Sequence, residues 1–231
     1  MLPILAIIGC GGSGSGGGKS GVAIPSAAFA PFKFFNAFPE KIPARLEAYG
    51  GAMIDAEGRT SAGLGEILRY VAAPGGSGTI GVRSTDADAA LLASTFVDFE
   101  ANRHRFVIGF GRGGDRQLFA VSDEFWTNSN RSAITINLCD AIDIPGNHIG
   151  FISKDGELLM SFNSTPGAGD GGIDLARGPG IYSVVVKKPT GEVIGGPFSF
   201  RMDPIYPMHL IFYGSAGHVK LALVPGIYVN L

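Results

Sequence analysis

Cysteine, charge and helical periodicity are all scarce in this chain of 231 residues, and each scarcity excludes something. Two cysteines, Cys10 and Cys139, are too few for a Cys-rich metal centre. Charged residues make up only 16 %, and the formal charge of −2 excludes the strong basic excess of a nucleic-acid binder. No segment sustains a helical repeat. Thr85–Ala93 comes closest, but its counterpart Lys187–Ile194 contains a Pro-Thr-Gly turn, so both read as hairpin connections. No Gly-x-Ser-x-Gly elbow, HxH or HExxH spacing occurs, and no Ser/His/Asp grouping stands out.

What the chain does have is 36 glycines, 14 prolines and 45 % apolar residues. That mixture predicts short strands joined by tight turns, with too much Val, Ile, Leu and Phe for disorder. The length leaves room for two domains.

The chain also repeats itself. Phe110-Gly-Arg-Gly-Gly-Asp-Arg-Gln-Leu-Phe-Ala-Val121 returns as Tyr213-Gly-Ser-Ala-Gly-His-Val-Lys-Leu-Ala-Leu-Val224, with Gly111 on Gly214 and Leu118 on Leu221, 103 positions apart. At a spacing of 102, Phe32 falls on Ile134, Val71–Val82 on Ile173–Val184, and Phe96 on Phe198. Tyr182, Val184 and Val186 share one strand face. Val219, Leu221 and Leu223 share another, opposite Lys220 and Ala222. Asp155-Gly156 supplies the positive φ angles of a tight hairpin. The expectation is an all-β chain of two tandem Ig-like antiparallel β-sandwiches of about seven strands each, at residues 27–126 and 127–231.

The first residues read as an address. The short apolar run Ile7-Ile8-Gly9-Cys10 leads into a Gly/Ser tract, which resembles the lipobox of bacterial lipoproteins. The resemblance implies a signal peptide at 1–9, a diacylated Cys10 and a tether at 10–26. Each buried methylene of such a lipid contributes about 0.8 kcal/mol. The tether would reach roughly 18 Å. A secretory leader needs a basic n-region. None precedes Cys10, so a start upstream of Met1 is expected to supply it. Gly18-Lys19-Ser20 mimics the end of a phosphate-binding loop, but position 13 is Ser, and Pro25 and Pro31 follow where a helix is required.

A Gly corner before Tyr-x-Val-x-Val (Pro179–Val186), an entry strand ending Phe34-Phe-Asn-Ala37, and a closing strand Leu210-Ile-Phe-Tyr-Gly214 carry a second resemblance. The chain is similar to the tandem β-sandwich repeats of bacterial surface lipoproteins known only as a domain of unknown function. That resemblance implies an exported, anchored, Ig-like module and carries no site residues.

Gly109-Phe-Gly-Arg-Gly-Gly114 fits the dinucleotide fingerprint GxGxxG, yet a strand follows it where a helix is needed, and its twin loses the spacing. It reads as a hairpin. Cys139 reads as a small buried hydrophobe. Asp86, Asp88, Asp170 and Asp174 complete no calcium loop and read as solvated turns. Arg103, His104, Arg105, Arg112 and Arg116 gather around the first hairpin, either as a solvated strand face or as a patch for anionic envelope polysaccharide. The Gly-rich stretch Asn163–Gly172 reads as a loop, either contacting a partner or acting as a spacer. Phe29, Phe32, Phe34, Phe35 and Phe38 either pack the sandwiches together or form an exposed contact. Together these give a non-enzymatic module for binding, adhesion or scaffolding at the cell envelope, with no metal or cofactor. Its expected partners are the membrane, polysaccharide or another surface protein, and not nucleic acid. A carbohydrate-binding module, and a hydrolase or metalloenzyme with a site between the repeats, are the alternatives.

Overall fold

The computed structural model describes residues 30–48, 51–73, 76–99, 104–126, 134–175, 178–202 and 207–229. Cys10 and its tether, Phe29 and Arg103 lie outside them. The described chain is all-β, with one 3-10 turn at Gly113–Asp115.

In the first half the strands are β1 (Ala30–Asn36), β2 (Ala44–Ala48), β3 (Gly51–Ala52), β4 (Ile67–Ala73), β5 (Gly76–Ser84), β6 (Leu91–Phe99), β7 (Arg105–Phe110), β8 (Gln117–Ser122) and β9 (Glu124–Trp126). The second half has β10 (Ile134–Asp143), β11 (His148–Lys154), β12 (Glu157–Ser164), β13 (Ala168–Leu175), β14 (Gly180–Lys187), β15 (Val193–Met202), β16 (Met208–Ser215), β17 (Lys220–Pro225) and β18 (Ile227–Val229).

The sheet orders are β4-β1-β7-β8 and β3-β2-β5-β6 in the first half, and β13-β10-β16-β17 and β12-β11-β14-β15 in the second. Replacing each strand of the first half by its counterpart reproduces the second, including the parallel pairs β1–β7 and β10–β16. A fifth sheet pairs β9 with β18 and joins the halves.

Each half encloses a core between its two sheets, as strand parity requires. Phe32, Phe34, Leu46, Leu68, Ile80, Val82 and Val107 fill the first. Ile136, Leu138, Ile152, Tyr182, Val184, Leu210 and Phe212 fill the second. The third cluster holds Phe35, Phe106, Ile108, Phe110, Cys139, Ala141, Ile211, Tyr213 and Val224. These residues come from the other faces of β1, β7, β10, β16 and β17, so the sheets β4-β1-β7-β8 and β13-β10-β16-β17 meet back to back. Both are buried on two sides, which is why Phe32-Lys-Phe-Phe and Ile134-Thr-Ile-Asn-Leu-Cys run apolar without clean alternation.

Several expectations change. Each half places eight strands in its two sheets, where about seven were expected. Asn163 and Ser164 belong to β12, and Ala168–Gly172 to β13, which pairs along β10. A glycine-rich strand suits that place because Val121 Cγ1 lies 2.4 Å from where a Cβ on Gly169 would stand. The entry strands align at a spacing of 104, Asn36 on Asp140. Asn36 sits beside Gly109 and Asp140 beside Phe212, and Gly109 and Phe212 are equivalent hairpin positions. A two-residue slip keeps every side chain on its face, so the assigned faces survive. The match of Phe96 to Phe198 does not. Phe96 pairs with Thr79 and is 68 % exposed, whereas Phe198 pairs with Val184 and packs on the second core.

Candidate functional site: the face between the halves

The repeated hairpins build this face. Gly111 (φ +82°) and Gly214 (φ +108°) open the two turns. A Cβ on either would stand 2.4 Å from the Asp115 carbonyl or 2.3 Å from the His218 carbonyl, so both turns require glycine for the same reason. The strands they join then bring Phe110 and Tyr213, equivalent residues, to the interface.

There the two halves exchange the same contact. Tyr213 of the second half covers Gly65 of the first, its Oη 2.6 Å from a would-be Cβ. Phe110 of the first half covers Gly167 of the second, its Cζ 2.8 Å away. Gly65 N donates to Asn36 O at 2.7 Å, and Gly167 N donates to Asp140 O at 2.8 Å. Phe35 meets Tyr213 edge to face at 5.1 Å between ring centres. The same surface of each half thus meets the other's copy, as in an isologous dimer.

One end of the face carries charge. Lys33 Nζ lies 2.8 Å from Asp123 Oδ2 and donates to Pro225 O at 2.6 Å. His209 Nε2, from the second half, lies 2.8 Å from Asp123 Oδ1. Asp123 and His209 are buried, and Lys33 is nearly so. Asp123 accepts, so Nε2 carries the proton, leaving Nδ1 buried without a partner. Phe106 and Phe125 sit edge-on to the imidazole at 4.9 and 5.0 Å. Burial pushes the His209 pKa below its ordinary value, with nearby Lys33 acting the same way and the bond to Asp123 opposing it. This favours the neutral imidazole. This latch exists once: the positions equivalent to Lys33, Asp123 and His209 hold Asn137, Gly226 and Phe106.

A second buried polar group sits inside each half. Asn36 donates to the carbonyls of Ile42 and Ala62 at 2.9 and 2.8 Å, and its Oδ1 accepts from Phe38 N at 3.0 Å. Asp140 accepts from Ile142 N at 3.0 Å in the same way, and its other oxygen meets His148 Nδ1 and Ser164 Oγ, both at 2.7 Å. This set holds a serine, a histidine and an aspartate. The serine, however, bonds to the aspartate and not to the histidine, and His148 is fully buried. It lacks the base-to-nucleophile contact of acyl-transfer chemistry.

The arginines around the first hairpin are engaged. Arg112 pairs with Asp143 of the second half. Arg116 pairs with Glu40 at 2.9 Å, and Arg105 Nε donates to Asp98 O at 3.2 Å. Burial raises the Glu40 pKa, but bonds from Arg116 and the Gly113 amide outweigh it and hold the carboxyl below its usual range. His148 and His209 each bond to a different aspartate, and among the described residues no three His, Cys, Asp or Glu gather as a metal site. Cys139 is buried in the third core. Phe32, Phe34 and Phe38 fill the first core and Phe35 the third, so the phenylalanine-rich strand packs inward. Among the described residues Phe96 is the one aromatic among the large exposed hydrophobics.

Lys33, Asp123 and Asp140 were not picked out from the sequence, Asn36 entered only as part of Phe34-Phe-Asn-Ala37, and His209 read only as a lone histidine. Lys33 alone left a signal, being a lone cation inside Phe32-Lys-Phe-Phe35 on the side shared with Phe35. No family model matches the chain, and no curated protein matches it.

Proposed function

We propose that this chain is an exported, lipid-anchored, non-enzymatic protein of the bacterial cell envelope. Two Ig-like β-sandwiches in tandem, 27–126 and 127–231, act there as one binding or scaffolding unit. Cys10 is the lipidated residue, and the Gly/Ser tract is the tether that lets the folded part stand off the membrane. The third core carries the reading. Inter-domain contacts that permit hinging are small and polar. This one is apolar, closes over Phe35, Phe106, Ile108, Phe110, Ile211 and Tyr213, and carries a buried ionic latch at one end. Two sandwiches fixed in this way present their outer sheets at a constant angle, which suits a scaffold holding partners in place. The histidines and aspartates between and inside the sandwiches are spent on that architecture.

The test is radiolabelled palmitate incorporation in a bacterial host with a lipoprotein pathway, with the chain expressed behind a complete lipoprotein leader. Label and membrane association are expected for the native chain and lost in Cys10→Ala. Label that persists in the variant overturns the anchor. For the scaffold, small-angle scattering should fit one rigid particle with and without added salt, and a salt-dependent opening would overturn it.

A further inference from the structure

Sheet edges are unpaired rows of N–H and C=O groups, and most of those here are blocked. In the first half, β3 is two residues long. The stretch after it folds over the edge of β4, where Ala56 N donates to Arg69 O at 2.7 Å and Arg59 Nη2 to Ile67 O at 2.6 Å. β6 and β8 lie alongside one another, as do β15 and β17. β15 is further broken by two register shifts and by Gly196-Pro197.

β12 is neither short nor folded over, although it lies alongside β13 and its ladder carries one register shift, between Ile152 and Ser153 of β11. It runs eight residues, pairs among the described residues with β11 alone, and keeps an unbroken register from Met160 to Ser164. It contains no proline, and its one charged residue, Glu157, stands at its start. Leu158 is 58 % exposed. The strand is also held ready. Phe162 lies across Gly150, where a Cβ would come within 1.9 Å of the ring, and stacks with Phe212 at 6.0 Å. In the first half the stretch 53–66 bonds to β2, with Met53 N donating to Leu46 O and Ala62 bridged to Ala44, and to β4, whereas the second half passes from β12 to β13 through a turn at 165–167.

We infer that β12 is an association edge, and that a second copy of this chain adds there, β12 against β12 and antiparallel. Self-pairing suits this strand. A twofold centre at Ser161 sets Glu157 opposite Thr165, which is uncharged, and Ser161 opposite its own copy. The core-facing Phe162 and the partly buried Leu159 and Met160 would then continue across the join. The result is a continuous sheet running through β15-β14-β11-β12 and back through the partner.

The experiment uses the full chain carrying Cys10→Ala, which keeps lipid out of the measurement. Sedimentation should show a concentration-dependent monomer–dimer equilibrium. Ser161→Lys brings two ammonium groups together across the twofold and should raise the Kd by at least about tenfold, with circular dichroism unchanged. Ser94→Lys on β6 should leave the Kd as it was. In oxidising buffer Ser161→Cys should form a disulfide dimer, while Ser94→Cys should not. The cysteine variant is nearly isosteric, so it reports even if the lysine variant misfolds. A chain that stays monomeric at every concentration, a dimer unaffected by Ser161→Lys, or cross-linking through position 94 in place of 161 would each overturn the inference.

Discussion

Asn36 and Asp140 stand at the same place in the two halves and accept the same kind of proton, from the amide two residues on. Around them the chemistry diverges. The first half uses a neutral amide that donates to two carbonyls, and the second uses a carboxylate that needs a histidine and a serine. The fold thus requires a buried acceptor at the end of the entry strand and leaves its remaining partners open. The carboxylate is the more demanding solution, because an ion stripped of its partners in a dry interior costs more than an amide does.

Breaking each version should show that asymmetry. His148→Ala strips the buried Asp140 carboxylate of a partner and should cost about 3–5 kcal/mol in urea unfolding. Asn36→Ala, which strands neutral groups only, should cost about 2–3 kcal/mol. Equal costs would mean that the buried carboxylate is no more demanding than the amide.

The glycines under the interface aromatics offer a finer cut. Gly65→Ala and Gly167→Ala should each lose about 1–3 kcal/mol by overpacking the face between the halves, with a further loss of roughly 1–2 kcal/mol from the left-handed backbone at both. Tyr213→Phe removes the oxygen that Gly65→Ala meets, so it should partly rescue that variant in thermal melts and leave Gly167→Ala unaided.

Acid should separate the single latch from its absent twin. The folded pKa of His209 lies below its unfolded value, so the unfolded chain takes up the proton more readily. Stability should therefore fall as pH drops below about 6.5. His209→Phe, which copies Phe106 from the first half, should flatten the profile between about pH 6.5 and 5, above the carboxylate range. The smallest effect belongs to Arg112→Ala. Its exposed pair with Asp143 bridges the halves yet should contribute only about 0–1 kcal/mol.

Strand class, the repeated hairpins, the Asp155-Gly156 turn and the inward face of β14 were all readable, because each rests on local periodicity or on a backbone angle. The third core was readable only in outline. A strand apolar on both faces says that something covers it, but not that the cover is the other half. The polar partners were harder still. Asp123 and His209 stand 86 positions apart, and Asp140 meets His148 and Ser164 from separate strands. Sheet stacking, and no spacing in the chain, brings such residues together. Phe96 was misplaced for a related reason. A spacing that holds through β5 and β14 changes by the next strand, and at an odd slip the ring turns outward.

Because Phe110 covers Gly167 while Tyr213 covers Gly65, the molecule is a homodimer written into one polypeptide. That ordering has a price during synthesis. The first half leaves the ribosome with Phe35, Phe106, Ile108 and Phe110 on an uncovered face, and their cover lies about a hundred residues downstream. Until β16 and β17 exist, the nearest matching surface belongs to another nascent copy. Joining the halves in one chain raises the local concentration of the right partner, and it gives the finished protein a folding order in which the second half completes the first.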